Sequence, residues 1–257
     1  MLLVGLLFYG IAFLLSMLGK GGGEFYVPIL ITLGIPYQKA ASTSLFILMV
    51  SGLLMMIVYH RKALIDWITG LGVISATGIG AFLGGFISPE IDPKWLKLTF
   101  AILLYVSLWF ILHPPKQKDF FKIGPVLKRN CCGETYKFPV LVVLPTIFII
   151  GFLAGMVGIS GGGLIVPLLI ILGDMPMRIA FATNSLMILF SSLTGFLGRG
   201  IKVGVDWRFT LTLALFVGLG ALSGAHFSSH VKIQHLRQIF VWVIGIAATW
   251  MIIKIFI

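Results

Sequence analysis

The sequence predicts an all-α polytopic membrane protein built from two homologous repeats. We expect about eight full transmembrane helices plus two short segments broken by glycine and proline, 8–10 segments in all. Three observations predict this fold. Of the 257 residues, 59% are hydrophobic and only 11% are charged, against roughly 25% charged in an average soluble domain. Long uncharged runs recur along the chain, and the second half repeats motifs of the first.

The uncharged runs are the predicted membrane elements. A helix needs about 20 apolar residues to cross a hydrocarbon core about 30 Å thick, and most of the runs have that length. In chain order they are Met1–Gly19, Ala40–His60, Trp67–Pro89, Leu98–Pro115, Phe138–Gly173, Ile179–Gly198, Phe209–Val231 and Gln238–Ile253. The first run lacks the basic region and cleavage site of a signal peptide, so we expect it to be the first span.

The net charge of +11 indicates membrane topology rather than nucleic-acid binding, because the basic residues lie between the apolar runs. They are densest in residues 114–137, which the positive-inside rule places in the cytoplasm; an anionic-lipid or partner site is the alternative. We expect a multi-pass protein of the cell membrane whose surroundings are the lipid bilayer. The adjacent Cys131 and Cys132 predict neither a disulfide nor a metal site. The oligomeric state stays open.

The chain divides into an N-terminal transmembrane repeat at 1–113, a basic cytoplasmic linker loop at 114–137 and a C-terminal transmembrane repeat at 138–257. Nine of the sixteen residues in Gly19–Gly34 are identical in Gly158–Gly173. Internal repeats of this size are typical of secondary transporters. Whether the repeats are parallel or inverted depends on whether the short segment Glu24–Gly34 completes a crossing. The distribution of basic residues fits both.

Two glycine-rich motifs, each followed by a short proline-containing segment, predict the substrate site. Irregular backbone at membrane depth must line a cavity or be buried in protein, and the N-terminal end of a short helix attracts anions. Tight helix packing is the alternative reading of the glycines. The candidate residues are Gly21, Gly22, Gly23, Ser160, Gly161, Gly162 and Gly163.

Polar clusters at the start of the next helix in each repeat extend the candidate site. Their side chains either cap that helix or donate hydrogen bonds to an oxyanion, and both roles stay open. The residues are Ser42, Thr43, Ser44, Thr183, Asn184 and Ser185. Asp66 and Asp206 are predicted N-caps. Three Gly-xxx-Gly motifs, which begin at Gly80, Gly151 and Gly220, predict close helix packing.

Lys20 and Glu24 distinguish the first glycine motif from the second, where Ile159 and Gly163 stand in their places. Ionisable residues at membrane depth usually carry function. Lys20 is a candidate attractor for the anion, and Glu24 is a candidate for coupling transport to protons. The alternative is that the two side chains only pair with each other or lie at the membrane interface. Arg199 is expected in a loop.

The sequence carries no enzyme motif. It lacks a GxxxxGK[ST] loop, an HExxH helix and paired CxxC motifs, which are the patterns of P-loop ATPases, metalloproteases and zinc sites. We therefore predict no catalytic residue, no metal and no cofactor.

The doubled glycine motif followed by Val-Pro resembles the TauE/SafE family of membrane transporters, also described as sulfite exporters. The resemblance is carried by GKGGGEFYVPIL at 19–30, ASTSL at 41–45, GISGGGLIVPLL at 158–169 and ATNSL at 182–186. It implies a secondary transporter of a small sulfur-containing anion: sulfite, sulfoacetate or another organosulfonate. The main hypothesis is that the anion binds between the two GGG helix starts with alternating access. The alternatives are an anion channel of similar selectivity and a membrane assembly factor that transports nothing.

Overall fold

The computed structural model describes residues 2–112, 125–200 and 202–228, together with positions 245, 249, 250 and 253. Within these residues the chain forms long helices, a 3-10 turn at Ser88–Glu90 and one two-stranded hairpin. The elements are α1 Leu2–Ser16, α2 Gly23–Thr32, α3 Tyr37–Arg61, α4 Trp67–Ile87, α5 Pro93–Leu112, β1 Val126–Cys131, β2 Glu134–Pro139, α6 Val140–Val157, α7 Gly162–Ile171, α8 Met177–Gly200 and α9 Trp207–Phe227.

Five of the described helices are long and apolar enough to cross a membrane: α3, α4, α6, α8 and α9. This confirms the prediction of a helical multi-pass protein. The expected number of about eight full spans stays a prediction. Helix α1 has 15 residues and α5 has 20, and the predicted last span, 238–253, lies almost wholly outside the described residues.

The two short broken segments form as predicted. Helices α2 and α7 have ten residues each and contain Pro28 and Pro167. At 1.5 Å per residue each helix is about 15 Å long, which is half of a hydrocarbon core. Their first residues, Gly23 and Gly162, are buried, so both helices begin inside the helix bundle.

Helices α4 and α6 pack in parallel through their Gly-xxx-Gly motifs. A Cβ atom added at Gly151 would lie 2.7 Å from the carbonyl oxygen of Thr77, and one added at Gly155 would collide with Ala81. Gly80 and Gly84 of α4 face the backbone of α6 in the same way. The absence of side chains at these positions lets the two backbones touch, as the motifs predict.

Helices α1 and α9 pack in parallel by the same means. Gly220 and Gly224 face the backbone of Tyr9 and Phe13, and any Cβ atom there would collide with it. The hydroxyl of Tyr9 also lies 3.3 Å from the hydroxyl of Ser223. The helix before the first glycine motif is thus paired with a helix of the second half, just as α6 is paired with α4 of the first half.

Helices α3 and α8 form the central pair of the bundle. They touch at Gly52, where an added Cβ atom would lie 2.6 Å from the backbone nitrogen of Leu189. The pair α1–α9 packs on the α3 side, and the pair α4–α6 packs on the α8 side. We call α1, α3 and α9 the first body, and α4, α6 and α8 the second body.

The hairpin β1–β2 lies where the linker loop was expected, and the sequence did not predict it. Its strands pair antiparallel from Val126↔Pro139 to Cys131↔Glu134. The thiol of Cys132 donates to the carbonyl oxygen of Ala63 at 3.0 Å, so the hairpin is docked on the α3–α4 connection. We call this end of the bundle the hairpin end and the other the distal end.

The directions of the helices follow from contacts at the hairpin end. Helix α4 begins there, beside the hairpin. The ammonium group of Lys62, just after α3, donates to the carbonyl oxygens of Ala225 and His226 at 3.0 Å each, so α9 ends there. Helices α4 and α9, which carry the matching Asp-Trp starts, therefore run in opposite directions.

The outer faces of these helices are apolar. Leu71 and Ile79 of α4 are 60% and 59% exposed, and Leu215 of α9 is 70% exposed. Large exposed apolar surfaces of this kind are suited to lipid rather than water. Trp67 and Trp207 are exposed at opposite ends of the bundle, where aromatic residues mark the two membrane interfaces.

Candidate functional site

The first glycine motif is a sharp backbone break between α1 and α2. Gly22, the residue before α2, has a φ of 93°, a left-handed conformation that side chains disfavour. An added Cβ atom there would lie 2.7 Å from the hydroxyl of Tyr26. The break is wholly buried, and its glycine N-cap offers α2 no side-chain partner.

The second glycine motif repeats this geometry between α6 and α7. Gly161 precedes α7 with a φ of 71°, and residues 158–164 are buried. Its N-cap also offers no side chain to the first turn. Each short helix therefore begins in the protein interior with its amide groups uncapped by the preceding residue, which is the arrangement that attracts anions.

Corresponding serines support the two breaks. The hydroxyl of Ser51 on α3 donates to the carbonyl oxygen of Gly21 at 3.5 Å, and that of Ser191 on α8 donates to the carbonyl oxygen of Ser160 at 3.3 Å. Tyr26 also donates to the carbonyl oxygen of Gly21, at 2.9 Å. These serines were not among the predicted residues, although their 140-residue spacing matches that of the repeat.

Asn184 joins the two breaks. Its side-chain amide nitrogen donates to the carbonyl oxygen of Gly19 at 2.5 Å. An added Cβ atom at Gly162 would lie 3.0 Å from that same nitrogen. The other half of the amide, Oδ1, is buried and has no hydrogen-bond partner. One side chain of α8 thus touches both glycine motifs.

Lys20 and Glu24 lie in the same buried centre, at 5% and 3% exposure. The carboxylate of Glu24 accepts hydrogen bonds from its own backbone N–H and from that of Gly163, in the first turn of α7, and it interacts electrostatically with Lys20. The structure therefore brings the candidate attractor, the candidate coupling residue and the second glycine motif together.

The polar clusters do not cap their helices, which corrects one of the two expected roles. Helix α3 begins at Tyr37 and α8 at Met177, so both clusters lie in the second turn, where the helix itself satisfies the amide groups. Ser42 donates to the carbonyl oxygen of Gln38, and Ser185 to that of Ala182. Thr43 pairs with Thr210 of α9.

Several buried polar atoms in the described part of the chain have no hydrogen-bond partner, and most of them belong to the candidate site. A buried hydroxyl or amide without a partner is costly, so these groups are able to bind a polar ligand. They are Ser16 Oγ, Glu24 Oε2, Ser44 Oγ, Ser160 Oγ, Thr183 Oγ1, Asn184 Oδ1, Ser192 Oγ and Arg199 Nε.

Arg199 was expected in a loop, and that expectation is wrong. It lies in the last turn of α8 and is completely buried. Its guanidinium group donates to Gln38 Oε1 at 2.6 Å and to the carbonyl oxygen of Met156 at 2.8 Å. It therefore binds the end of α6, just before the second break, where a positive charge suits the helix dipole.

Outside the membrane spans, Asp66 anchors the hairpin. As predicted, it caps α4, accepting from the backbone of Ile68 and Thr69, and Asp206 caps α9 likewise. Asp66 also binds Arg129 at 2.9 Å and the hydroxyl of Tyr136. Burial alone would raise the Asp66 pKa, but the hydrogen bonds from Arg129, Tyr136 and Thr69 outweigh it and lower the pKa to about 2.

The described residues contain no group of three or more His, Cys, Asp or Glu side chains placed to hold a metal ion. The site is thus built from backbone amides, hydroxyls, one amide side chain and one Lys–Glu pair. Groups of this kind can bind and orient a small anion.

Comparison with known proteins agrees with this geometry. Residues 2–251 match the sequence family described as sulfite exporter TauE/SafE. The chain belongs to the TauE/SafE family. The resemblance carried by the glycine motifs is confirmed over almost the whole length, both halves included. The family description names sulfite, which agrees with the small anionic substrate predicted from the glycine-rich helix starts.

Relatives of the TauE/SafE chain are named as transporters. It is 29% identical over 237 residues to the probable membrane transporter protein YunE of Bacillus subtilis, covering 87% of each chain. It is 28% identical to a probable membrane transporter protein of Haemophilus influenzae, covering 84% of this chain and 81% of the other. A probable membrane transporter protein of Methanocaldococcus jannaschii is 24% identical, with 93% and 90% covered. These names point to a membrane transporter rather than an enzyme. No solved structure matches the chain.

Proposed function

We propose that the protein is a secondary carrier of a small sulfur-containing anion, such as sulfite, sulfoacetate or another organosulfonate. The observation that carries this proposal is the meeting of two glycine-broken helix starts in the buried centre, where Asn184 contacts both. The family description supplies the class of anion.

The chemistry of the centre suits a sulfite or sulfonate group. Such a group is recognised through its three oxygens, which accept hydrogen bonds, and through its negative charge. The first turns of α2 and α7 supply N–H groups and the positive ends of two helix dipoles. The partnerless hydroxyls of Ser44, Ser160 and Thr183 supply further donors, and Lys20 supplies positive charge.

We infer that residues 1–113 and 138–257 form an inverted repeat. The equivalent helices α4 and α9 run in opposite directions, and the pairs α1–α9 and α6–α4 pack through the same glycine motif. Each equivalent helix contributes the same support: Ser51 and Ser191 to the breaks, Asp66 and Asp206 to the caps. Inverted repeats of this kind underlie alternating access in many carriers.

In the proposed cycle, the first body rocks against the second body. Their largest shared contact is α3 against α8, and the close approach at Gly52 is the proposed pivot. Because the glycine breaks follow α1 in one body and α6 in the other, this motion opens the anion site alternately to the hairpin end and the distal end. Each moving body contains helices from both halves of the sequence.

Counterflow in liposomes tests the carrier. Purified protein preloaded with unlabelled sulfite is expected to accumulate labelled sulfite transiently, with a rate that saturates. Gly162→Ala is expected to lower this rate about tenfold or more, because its methyl group stands beside the Asn184 amide nitrogen in the path to the α7 amides. Gly10→Ala is the matched control, because nothing lies within 4 Å of a Cβ atom added there.

Two outcomes contradict the carrier. A current that rises with anion concentration without saturating, and without counterflow, is the behaviour of a channel. If none of the sulfur-containing anions is bound or transported, the protein is better explained as a membrane assembly factor. Equal loss of activity in Gly162→Ala and Gly10→Ala would contradict anion binding at the start of α7.

A further inference from the structure

Glu24 contacts its own equivalent in the other half. The repeat offset of 139 residues pairs Glu24 with Gly163, and the backbone N–H of Gly163 donates to the Glu24 carboxylate. Two equivalent positions can touch only where they lie beside the axis that relates the halves. Glu24 therefore sits at the centre of the molecule, with a carboxylate on one side of the axis and an amide on the other.

The Glu24 carboxylate lies at the start of α7, where the helix amide groups would bind an anion. The start of α7 has a glycine N-cap, and Glu24, from a different helix, supplies the negative charge that this helix start attracts. A carboxylate and a sulfonate accept hydrogen bonds from such amides in the same manner. The second carboxylate oxygen, Oε2, is buried and accepts no hydrogen bond. Only one of the two carboxylate oxygens of Glu24 is therefore fixed by hydrogen bonds.

The charges around Glu24 balance when the site holds no other anion. In the part of the chain that the structure describes, the titratable groups that interact with this carboxylate are Lys20 and Tyr26. With Lys20 protonated and Glu24 ionised the pair carries no net charge, and the Tyr26 hydroxyl donates to the carbonyl oxygen of Gly21. A monovalent anion that enters alone leaves the buried centre with one uncompensated negative charge, which is costly.

We propose that Glu24 is a resident competitor of the transported anion: it occupies the start of α7, and an anion replaces it only together with one proton that neutralises the carboxylate. This inference rests on the proposed function and assigns its coupling. With the proton, the centre again contains one positive charge, Lys20, and one negative charge, the anion. One monovalent anion therefore binds with one proton.

Binding measurements on the purified protein in nanodiscs test this stoichiometry. The probe is methanesulfonate, whose sulfonate stays ionised throughout, so that any proton taken up belongs to the protein. A pH indicator in weak buffer counts the protons taken up on binding, and titration calorimetry gives the Kd at several pH values. Where Glu24 is ionised, wild type is expected to take up one proton per anion and to lose about tenfold in affinity per pH unit.

Two variants distinguish the effect of Glu24 from that of another carboxylate. Glu24→Gln has no competing charge, so we expect tighter binding at high pH, a Kd that no longer depends on pH, and no proton uptake. Glu134→Gln makes the same chemical change at the exposed end of the hairpin and is expected to behave as wild type. The wild-type proton count is decisive by itself if Glu24→Gln does not fold.

The outcomes distinguish the two proposals. Binding without proton uptake and with a constant Kd in wild type overturns the competitor role but leaves the carrier standing. So does a Glu24→Gln variant that retains the wild-type pH dependence. If wild type binds neither methanesulfonate nor sulfite at any pH, the proposed function itself is wrong.

Discussion

Asn184 links the two halves of the site through one side chain. Its amide nitrogen binds Gly19 and stands against Gly162, while Oδ1 accepts no hydrogen bond. The hydroxyls of Ser42, Thr43 and Ser185 in the two polar clusters instead make their hydrogen bonds to residues of the helices. The strength of anion binding should therefore depend on this amide more than on the hydroxyls around it.

We predict that Asn184→Leu weakens anion binding about tenfold to a hundredfold, because a hydrogen bond involving a charged partner contributes roughly 1.5–3 kcal/mol. Isothermal titration with sulfite measures the effect. Asn130→Leu, an exposed position on the hairpin, is the control and should bind as wild type. A lower melting temperature with an unchanged Kd would mean that Asn184 only holds Gly19 in place.

At the residue scale, the sequence predicts best where a position repeats and has one physical explanation. Asp66 and Asp206 were predictable caps because an acidic residue directly before an apolar run suits a helix start. Arg199 was not, because an arginine after a glycine at the end of an apolar run looks the same in a loop and in a last helical turn. Its burial depends on Met156 and Gln38, which are distant in sequence.

At the element scale, the hairpin is fastened by one carboxylate. Arg129 and Tyr136 on its two strands both bind Asp66 at the start of α4. The pKa of Asp66 is lowered from its ordinary value of 3.8 to about 2. The ionised carboxylate therefore contributes fully to stability above pH 3.8, and this contribution is lost as the pH falls through about 2. The strands thus hold the α3–α4 connection at neutral pH.

We predict that Arg129→Gln lowers the free energy of unfolding by about 1–3 kcal/mol at neutral pH, because it leaves a buried carboxylate with fewer donors. Thermal unfolding in detergent at several pH values measures this. The difference from wild type should shrink as the pH approaches about 2, where Asp66 becomes protonated in the folded wild type. Lys128→Gln removes the same charge from an exposed neighbour and should change little; equal effects would contradict the anchor.

The hairpin also reports the sidedness of the protein, because it carries both cysteines of the chain. Burial and the neighbouring Cys132 thiol raise the pKa of Cys131 to about 12, so the exposed Cys132 is the thiol expected to react. We predict that a membrane-impermeant maleimide labels it in inside-out vesicles and not in intact cells. Cys132→Ser removes the signal, and labelling of intact cells would place the hairpin outside the cytoplasm.

Elements were predictable where composition changes sharply and less so where it does not. The short helices α2 and α7 follow from glycine and proline in an apolar run. The hairpin was missed because its strands carry lysines and lie in a basic linker, where charge indicates topology. The clusters at Ser42–Ser44 and Thr183–Ser185 were expected at helix starts, yet each helix begins five or six residues earlier.

For the whole molecule, the proposed motion makes a prediction about cross-links. Phe46 of α3 and Phe196 of α8 meet edge to face across the two bodies, with ring centroids 5.5 Å apart. In a chain with both natural cysteines replaced by serine, a short cross-linker between Phe46→Cys and Phe196→Cys is expected to lower transport about tenfold or more, because the rocking motion is blocked. Anion binding should survive.

A cross-link within one body is the control for this experiment. Tyr9 and Ser223 pair α1 with α9 in the first body, and a cross-link between Tyr9→Cys and Ser223→Cys should leave transport intact. Equal inhibition by both cross-links, or full transport with the first, would contradict motion at the α3–α8 contact. The sequence predicted the repeat but not these bodies, because periodicity identifies helices without identifying their partners.

The exchange of partners between the halves has a consequence for how the protein is made. Helix α1 ends at Ser16, and its partner α9 begins only at Trp207. At ribosomal speeds of about 5–20 residues per second, roughly 10–40 s pass between the synthesis of α1 and the synthesis of α9. Until then the glycine-lined surface of α9 on which α1 packs does not exist. During that time the nascent chain has a helix in the membrane without its final neighbour. The first body is therefore completed only after α9 has been made, and a chaperone or insertase that shelters α1 would act in that interval.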